Sequence, residues 1–298
     1  MEVGSHVQVG HTLQESHRLH PYAEQQLVRN RDSRNTWRRY AEHRHHVMRL
    51  LCDNSNNGCQ SVCVWGAGNA NDLDLNRLLD VFSEVHLVDL DQEALLFAVE
   101  QQSLHETPTV VLHGGVDLLG ITKLTANPSA TQQNTVDVDR LLNHFQTSVP
   151  PPCEHCDVVA SVCLLSQLIE AIASIVGAGH PRLPELVTAV RCHHVQRLLQ
   201  ATRPGGRAIL VTEILSSDTF PTLPAIPKAG LRRALAQQIN MRNFYTGLNP
   251  AILESLAERE PSISRLCNGI AAHPPWQWNF GPRTYAVAAY EARTCSQE

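Results

Sequence analysis

Between residues 61 and 214 short apolar runs alternate with stretches of helical periodicity, and this alternation restricts the fold more than any other feature. The runs are SVCVW (61–65), VHLVD (85–89), TVVLH (109–113), CDVVASVCLL (156–165) and RAILVTEI (207–214). Continuous apolar runs of this length read as strands buried on both faces. A helix between two such strands carries the chain back to its starting end, so the strands pair in parallel with helices covering the sheet. Helices are expected over 72–82, 91–102, 137–147 and 185–202, the last closed by RPGG with glycine past its end. Residues 120–135 form a polar loop, and VPPP is a stiff connector into the fourth strand.

The last third breaks the pattern. Helices are expected over 229–240 and 250–258, and NFYTGLNP (243–250) reads either as a substrate-facing loop or as a turn with Asn249 capping the second of them. Then WQWNF (276–280) and TYAVAAYEA (284–292) flank a Gly281-Pro282-Arg283 joint, which reads as a hairpin. Five parallel strands thus end in an antiparallel pair, within one domain spanning 33–298: an N-terminal helix over 33–55, a core over 61–214 and a covering part over 215–298.

Residues 1–50 hold eight Arg, seven His and five acidic residues, so this end is basic while the whole chain carries a net charge of −5. Residues 1–32 read as a flexible basic, His-rich arm. Ser33 is placed as the cap of the 33–55 helix, on which Trp37, Tyr40, Val47, Leu50 and Leu51 recur. His43, His45 and His46 are assigned to a solvated face of it. The negative balance gives no reason to expect nucleic acid, and no apolar run is long enough for a bilayer. Nine cysteines at irregular spacing fit reduced thiols and a cytoplasmic setting, with no secretory signal ahead of them.

The loop after the first strand carries the ligand information. In VCVWGAGNANDLDL (62–75), Gly66 and Gly68 permit a tight turn and close backbone approach. A ribose-binding acid is expected at the end of the second strand about 20 residues on, and Asp89 stands there. Asn71 occupies the third glycine position of a dinucleotide fingerprint. Asp72 follows it as the expected helix cap, with Asp74 beside it. Carboxylates at a helix N-terminus repel a pyrophosphate and occupy its donors. A phosphate-free, cationic adenosine ligand fits better, and S-adenosylmethionine is one.

The chain resembles the class I, Rossmann-like S-adenosylmethionine-dependent methyltransferases. VWGAGNANDL is similar to the family's first motif, with Asn69 where many members carry a third glycine; asparagine tolerates left-handed backbone. VHLVDLD resembles the acidic second-strand motif, LHGGVDLLG the segment after the third strand, CDVVASVCLLSQL the fourth-strand motif and RPGGRAILVTEI the fifth. The resemblance implies a seven-stranded mixed sheet in the order 3-2-1-4-5-7-6, with strand 7 antiparallel. It implies S-adenosylmethionine as cofactor and S-adenosylhomocysteine as product. Gly66, Ala67, Gly68, Asn69 and Asp72 would form the cofactor loop, and Asp89 with Leu90 would meet the ribose. Gly115, Val116 and Asp117 would surround the adenine, and Ser161, Val162 and Cys163 would lie near the methionine end.

No general base is assigned from the sequence; Glu213, Tyr245 and His273 are the candidates, because they follow or lie beyond the fifth strand, where a parallel sheet presents its ligand edge. The acceptor is expected to be a small molecule. Two other readings stay open: a non-catalytic binding or scaffold protein, and an NAD-dependent oxidoreductase. The second lacks the Tyr-x-x-x-Lys pair of short-chain dehydrogenases. Cys153 and Cys156 in CEHC have metal-ligand spacing, but a structural zinc site wants four ligands and no second pair follows. Cys192, His193 and His194 fall on a helix, so no metal site is assigned.

Overall fold

The structure is a computed structural model and describes residues 20–52, 59–125, 137–147 and 150–296. Its centre is one sheet. The strands are β1 (Ser61–Trp65), β2 (Glu84–Val88), β3 (Val110–His113), β4 (Cys156–Val162), β5 (Thr202–Ser216), β6 (Ala271–Ala272), β7 (Trp276–Asn279) and β8 (Thr284–Arg293). They lie in the order β3-β2-β1-β4-β5-β8, with β6 and β7 both on the far edge of β8. β1 to β5 are parallel and β8 is antiparallel to β5. This is the expected Rossmann-like order, with β7 and β8 as the hairpin and the two-residue β6 added.

Helices cover both faces. They are α1 (Pro21–Ser33), α2 (Ala41–Cys52), α3 (Leu75–Leu79), α4 (Gln92–Gln101), α5 (Thr122–Thr125), α6 (Val138–Gln146), α7 (Leu165–Val176), α8 (Leu183–Ala201), α9 (Lys228–Asn240), α10 (Pro250–Glu254), α11 (Leu256–Arg259) and α12 (Pro261–Ser264). The apolar stripes of α2, α3 and α4 pack on one sheet face with Val62, Val64 and Val158. Those of α6, α7 and α8 pack on the other with Cys63, Trp65 and Val159. Strand residues in sequence thus alternate between two cores, which is why the runs are apolar at most positions instead of every second one. Asp91 caps α4 by accepting the Ala94 N–H, and Asn249 caps α10.

Several expectations change. Residues 20–32 are not an arm but belong to α1, which His20 caps and Pro21 opens; residues 1–19 and 126–136 lie outside the described residues. Ser33 ends α1 instead of capping the next helix, and a 3-10 turn at Trp37–Tyr40 separates α1 from α2. Asp74, not Asp72, caps a much shorter α3, because Ala70 turns left-handed (φ 50°) and delays the helix. RPGG is inside a long β5 whose first residues extend the sheet past the end of α8.

The closing strand is held by a part-buried ion pair. Arg207 on β5 donates to Glu291 on β8 (Nε–Oε1 2.9 Å, Nη2–Oε2 3.1 Å) and to the Leu50 carbonyl of α2. Burial pushes the Glu291 carboxyl up, but the hydrogen bonds from Arg207 and His273 outweigh it and hold it below its ordinary value. Its contribution is therefore present above the unfolded carboxyl value and lost as pH falls through the lowered one. Arg207→Met leaves the part-buried Glu291 with only His273 beside it and is expected to cost about 1–3 kcal/mol at pH 7. Urea denaturation checks this, and the gap between variant and parent should narrow below pH 4, near the unfolded glutamate value.

Candidate functional site

The carboxyl ends of β1, β2, β4 and β5 meet at one edge of the sheet. Gly66 and Gly68 both take left-handed backbone there, at φ 73° and 46°. A Cβ on Gly66 would come to 3.0 Å from the Leu164 Cβ, so the turn has room for glycine only. The third left-handed position is Ala70, and Asn69 is not one. Asp89 closes the turn: its Oδ2 accepts the Gly68 N–H at 2.8 Å and its Oδ1 accepts the Asp91 N–H at 2.9 Å. Burial raises its carboxyl to about 6 despite these bonds.

The two loop asparagines have a different role from the expected one. Asn69 Nδ2 donates to the Asn30 carbonyl (2.6 Å) and the Ser33 hydroxyl (3.0 Å), and Asn71 Nδ2 donates to the Ser33 carbonyl (2.9 Å). They satisfy carbonyls that the end of α1 leaves without helical partners. This docks α1 across the turn. Asn30 then points its amide at Asp91 (3.2 Å) and Asp89 (3.5 Å).

Beneath α1 lies a narrow slot of about 30 Å³ lined by Tyr22, Gln26, Gly66, Asp89, Leu90, Val116, Leu118, Leu164 and Gln167. The structure thus brings Gly66, Asp89, Leu90 and Val116, four of the residues singled out in the sequence, to one slot. The Gln26 Nε2 is a buried donor with no partner among the described residues. Other expected contacts lie elsewhere. Asp117 spends its carboxylate on the Leu119 and Thr122 N–H groups, and Gly115 is exposed. Ala67 and Val162 pack in the core. Ser161 is buried, its hydroxyl 2.8 Å from His194 Nε2. Tyr22 and Gln26 were missed by the sequence reading, although Pro21 and the spacing Tyr22–Gln26–Arg29–Ser33 are helix signals.

Gln167 joins the slot to a larger cavity of about 770 Å³. Arg29 of α1 spans the junction, donating to Gln167 (3.4 Å) and Glu170 (2.8 Å). The cavity walls include Tyr40, Trp278, Phe280 and Tyr285, with Glu213 and Tyr245 also facing it. A β-bulge after Glu213 shifts the pairing with β8 and leaves the Ile214 carbonyl to the Tyr245 N–H at 2.7 Å. One irregularity therefore places both candidates. His273 does not join them: its Nε2 is 3.1 Å from Glu291, away from this cavity.

Glu213 accepts from the Ser166 hydroxyl at 3.0 Å, and burial raises its pKa. Burial and repulsion from Glu213 push Asp72 up to about 7. Next to them is His43, buried rather than solvated, and stacked on Trp278. Its Nδ1 accepts from Trp276 Nε1 at 3.1 Å, so its proton sits on Nε2, facing Asp72 (3.5 Å) and Cys163 (3.7 Å). Burial lowers His43 to about 3, so it is a neutral donor and not half of an ion pair. His45 is exposed, and His46 stacks on Trp276.

No protein-family model matches the chain, and no curated protein matches it. Solved structures are similar in fold. The N-methyltransferase NodS from Bradyrhizobium japonicum, in complex with S-adenosylhomocysteine, is 12% identical over 85% of this chain and 86% of that one, with a TM-score of 0.43. The YcgJ protein from Bacillus subtilis is 11% identical over 85% and 100%, with a TM-score of 0.45. Magnesium protoporphyrin IX methyltransferase from Synechocystis, with S-adenosylhomocysteine bound, is 12% identical over 85% and 81%, with a TM-score of 0.43.

The raised acids give a pH signature. Asp72 is protonated in folded and unfolded chains below its ordinary value of 3.8 and costs nothing there. The cost grows as pH rises towards about 7 and is complete above it. Asp72→Asn is expected to raise the melting temperature by several degrees at pH 8 and to change it little at pH 4. Thermal melts across that range check it.

Proposed function

We propose that this chain is a methyltransferase that uses S-adenosylmethionine and methylates a small molecule held in the larger cavity. The observation that carries the reading is the Gly66–Gly68 turn locked onto Asp89 at the sheet's ligand edge, one residue, Gln167, away from an acceptor-sized cavity. Asp89 suits ribose hydroxyls, Leu90, Val116 and Leu118 offer apolar walls for adenine, and Gln26 supplies a free donor. Once bound, S-adenosylmethionine offers an electrophilic methyl group on a sulfonium.

The chain's own task is alignment, exclusion of water and proton removal. Glu213 is positioned to take a proton from an acceptor N–H or O–H. Its raised pKa brings it closer to neutrality, where a base works best, and Ser166 fixes its orientation. The aromatic walls favour an acceptor with an apolar or aromatic body. The odd set of nine cysteines supports a cytosolic setting.

The slot is narrow, and Tyr22 and Gln26 of α1 line it, so the cofactor would enter by displacing these side chains. A second reading is a protein that binds the cofactor without turnover.

Calorimetric titration with S-adenosylmethionine, S-adenosylhomocysteine and NAD separates the readings. The first two should bind, with a loss of at least about tenfold in Asp89→Ala from the missing charged hydrogen bonds; binding of NAD alone would overturn the proposal. Asn30→Ala, which removes the amide covering Asp89, should speed cofactor association in stopped-flow fluorescence. With an acceptor found by screening, Glu213→Gln should lower kcat by about 10²–10⁴ at unchanged cofactor affinity. Tight binding with no turnover on any acceptor would favour the second reading.

A further inference from the structure

On the sheet face covered by α6, α7 and α8, five metal-ligand side chains from distant parts of the sequence converge. Cys63 lies on β1, His86 on β2 and His113 at the end of β3; Cys153 and Cys156 lie at the entry to β4. The sulfurs of Cys63, Cys153 and Cys156 all lie within 4.8 Å of one another. So do the Cys153 sulfur and one ring nitrogen from each of His86 and His113. We propose that this cluster is a structural zinc site, with Cys63, Cys153, Cys156 and an imidazole of the His86–His113 pair as ligands.

Backbone register explains the convergence. Cys63 pairs with His86 across β1 and β2, and His86 pairs with Val111 across β2 and β3. Parallel partners share a sheet face, and His113, two residues beyond Val111, returns to it. On β4, Val158 and Val159 face opposite cores, so strict alternation would send Cys156 to the far face from Cys63. A register irregularity between Cys156 and Val158 turns it back. Three residues before it, Cys153 completes a C-x2-C pair of the kind that grips zinc.

The chemistry of the donors fits the ion. Cys153 and Cys156 sulfurs sit 3.1 Å apart, and His86 Nδ1 sits 3.0 Å from His113 Nε2. Each contact is a hydrogen bond in which one partner carries the proton, and a shared cation can take the place of that proton. A tetrahedral zinc with Zn–S of about 2.3 Å sets its sulfurs about 3.8 Å apart, a small opening from the spacing seen. Thiolate with imidazole selects zinc over the hard cations magnesium and calcium. Glu84 Oε2, 3.1 Å from His86 Nε2, supplies the outer carboxylate that orients a ligating imidazole through its other nitrogen. None of the five residues lines the slot or the cavity, and such an ion would clasp β1 and one of its neighbours β2 or β3 to the chain entering β4.

The test is metal analysis of the full chain purified under reducing conditions without chelator, with zinc measured by mass spectrometry. One equivalent per chain is expected. Cobalt exchange should give the visible bands of a tetrahedral site and a thiolate charge-transfer band. Cys153→Ser, at a half-buried position, should lose both metals to background, whereas Cys192→Ser, outside the cluster, should keep them. His86→Asn with His113→Asn should make the metal at least about tenfold easier to strip with chelator. No zinc or cobalt in the parent chain, or equal retention in Cys153→Ser, overturns the proposal. So does a Cys153–Cys156 disulfide mapped in metal-free protein, which would make the pair a redox couple. None of these readouts depends on cofactor binding or methyl transfer.

Discussion

The candidate site is organised by one carboxylate. Asp89 accepts from the Gly68 backbone in the first loop and from Asp91 at the start of α4, and Asn30 of α1 reaches it from above. A buried carboxylate must collect donors or give up its charge. The donors it collects belong to three separate segments, so its need for partners fixes the turn after β1, the entry to α4 and the seat of α1 together. The same bonds mark it as a place for hydroxyl donors of a ligand, since the Asn30 amide stands where such a donor can exchange with it.

A second constraint works at the other end of the edge. The bulge on β5 breaks one rung of the ladder with β8, and the freed Ile214 carbonyl takes the Tyr245 N–H. Glu213 faces a core of α2 and hairpin residues and meets Asp72 and His43 there. Behind the cavity wall that Glu213 lines, Asp72 and a neutral His43 are packed close by, and burial raises both acids. An enclosure of this kind costs stability and is expected where proton transfer is useful.

The central strands β1, β4 and β5 were legible because they are largely buried on both faces, which leaves a nearly continuous apolar run in the sequence. Gly66, Gly68 and Asp89 were legible because their spacing is set by one strand, one loop and one helix. α1 was not: its buried surface is limited to Tyr22, Ala23 and Gln26, and it is stable only when docked on Asn69 and Asn71. For the same reason the asparagines read as substitutes for glycine, when their amides hold the end of another helix. Asp72 read as a cap because nothing local distinguishes a capping acid from one that turns inward. His43 read as solvated because its partners, Trp276 and Trp278, are more than two hundred residues away.

The sequence by itself determined the parallel α/β core, the closing antiparallel hairpin and the glycine turn facing an acid at the second strand's end. These follow from periodicity and backbone sterics, which act within a few residues. Tertiary structure alone decided that a polar N-terminal helix covers the slot, that Glu213 and not His273 faces the cavity, and that Cys63, His86 and His113 meet the Cys153–Cys156 pair. Each depends on strand register or helix docking, and register brings together residues whose distance along the chain carries no trace of the contact.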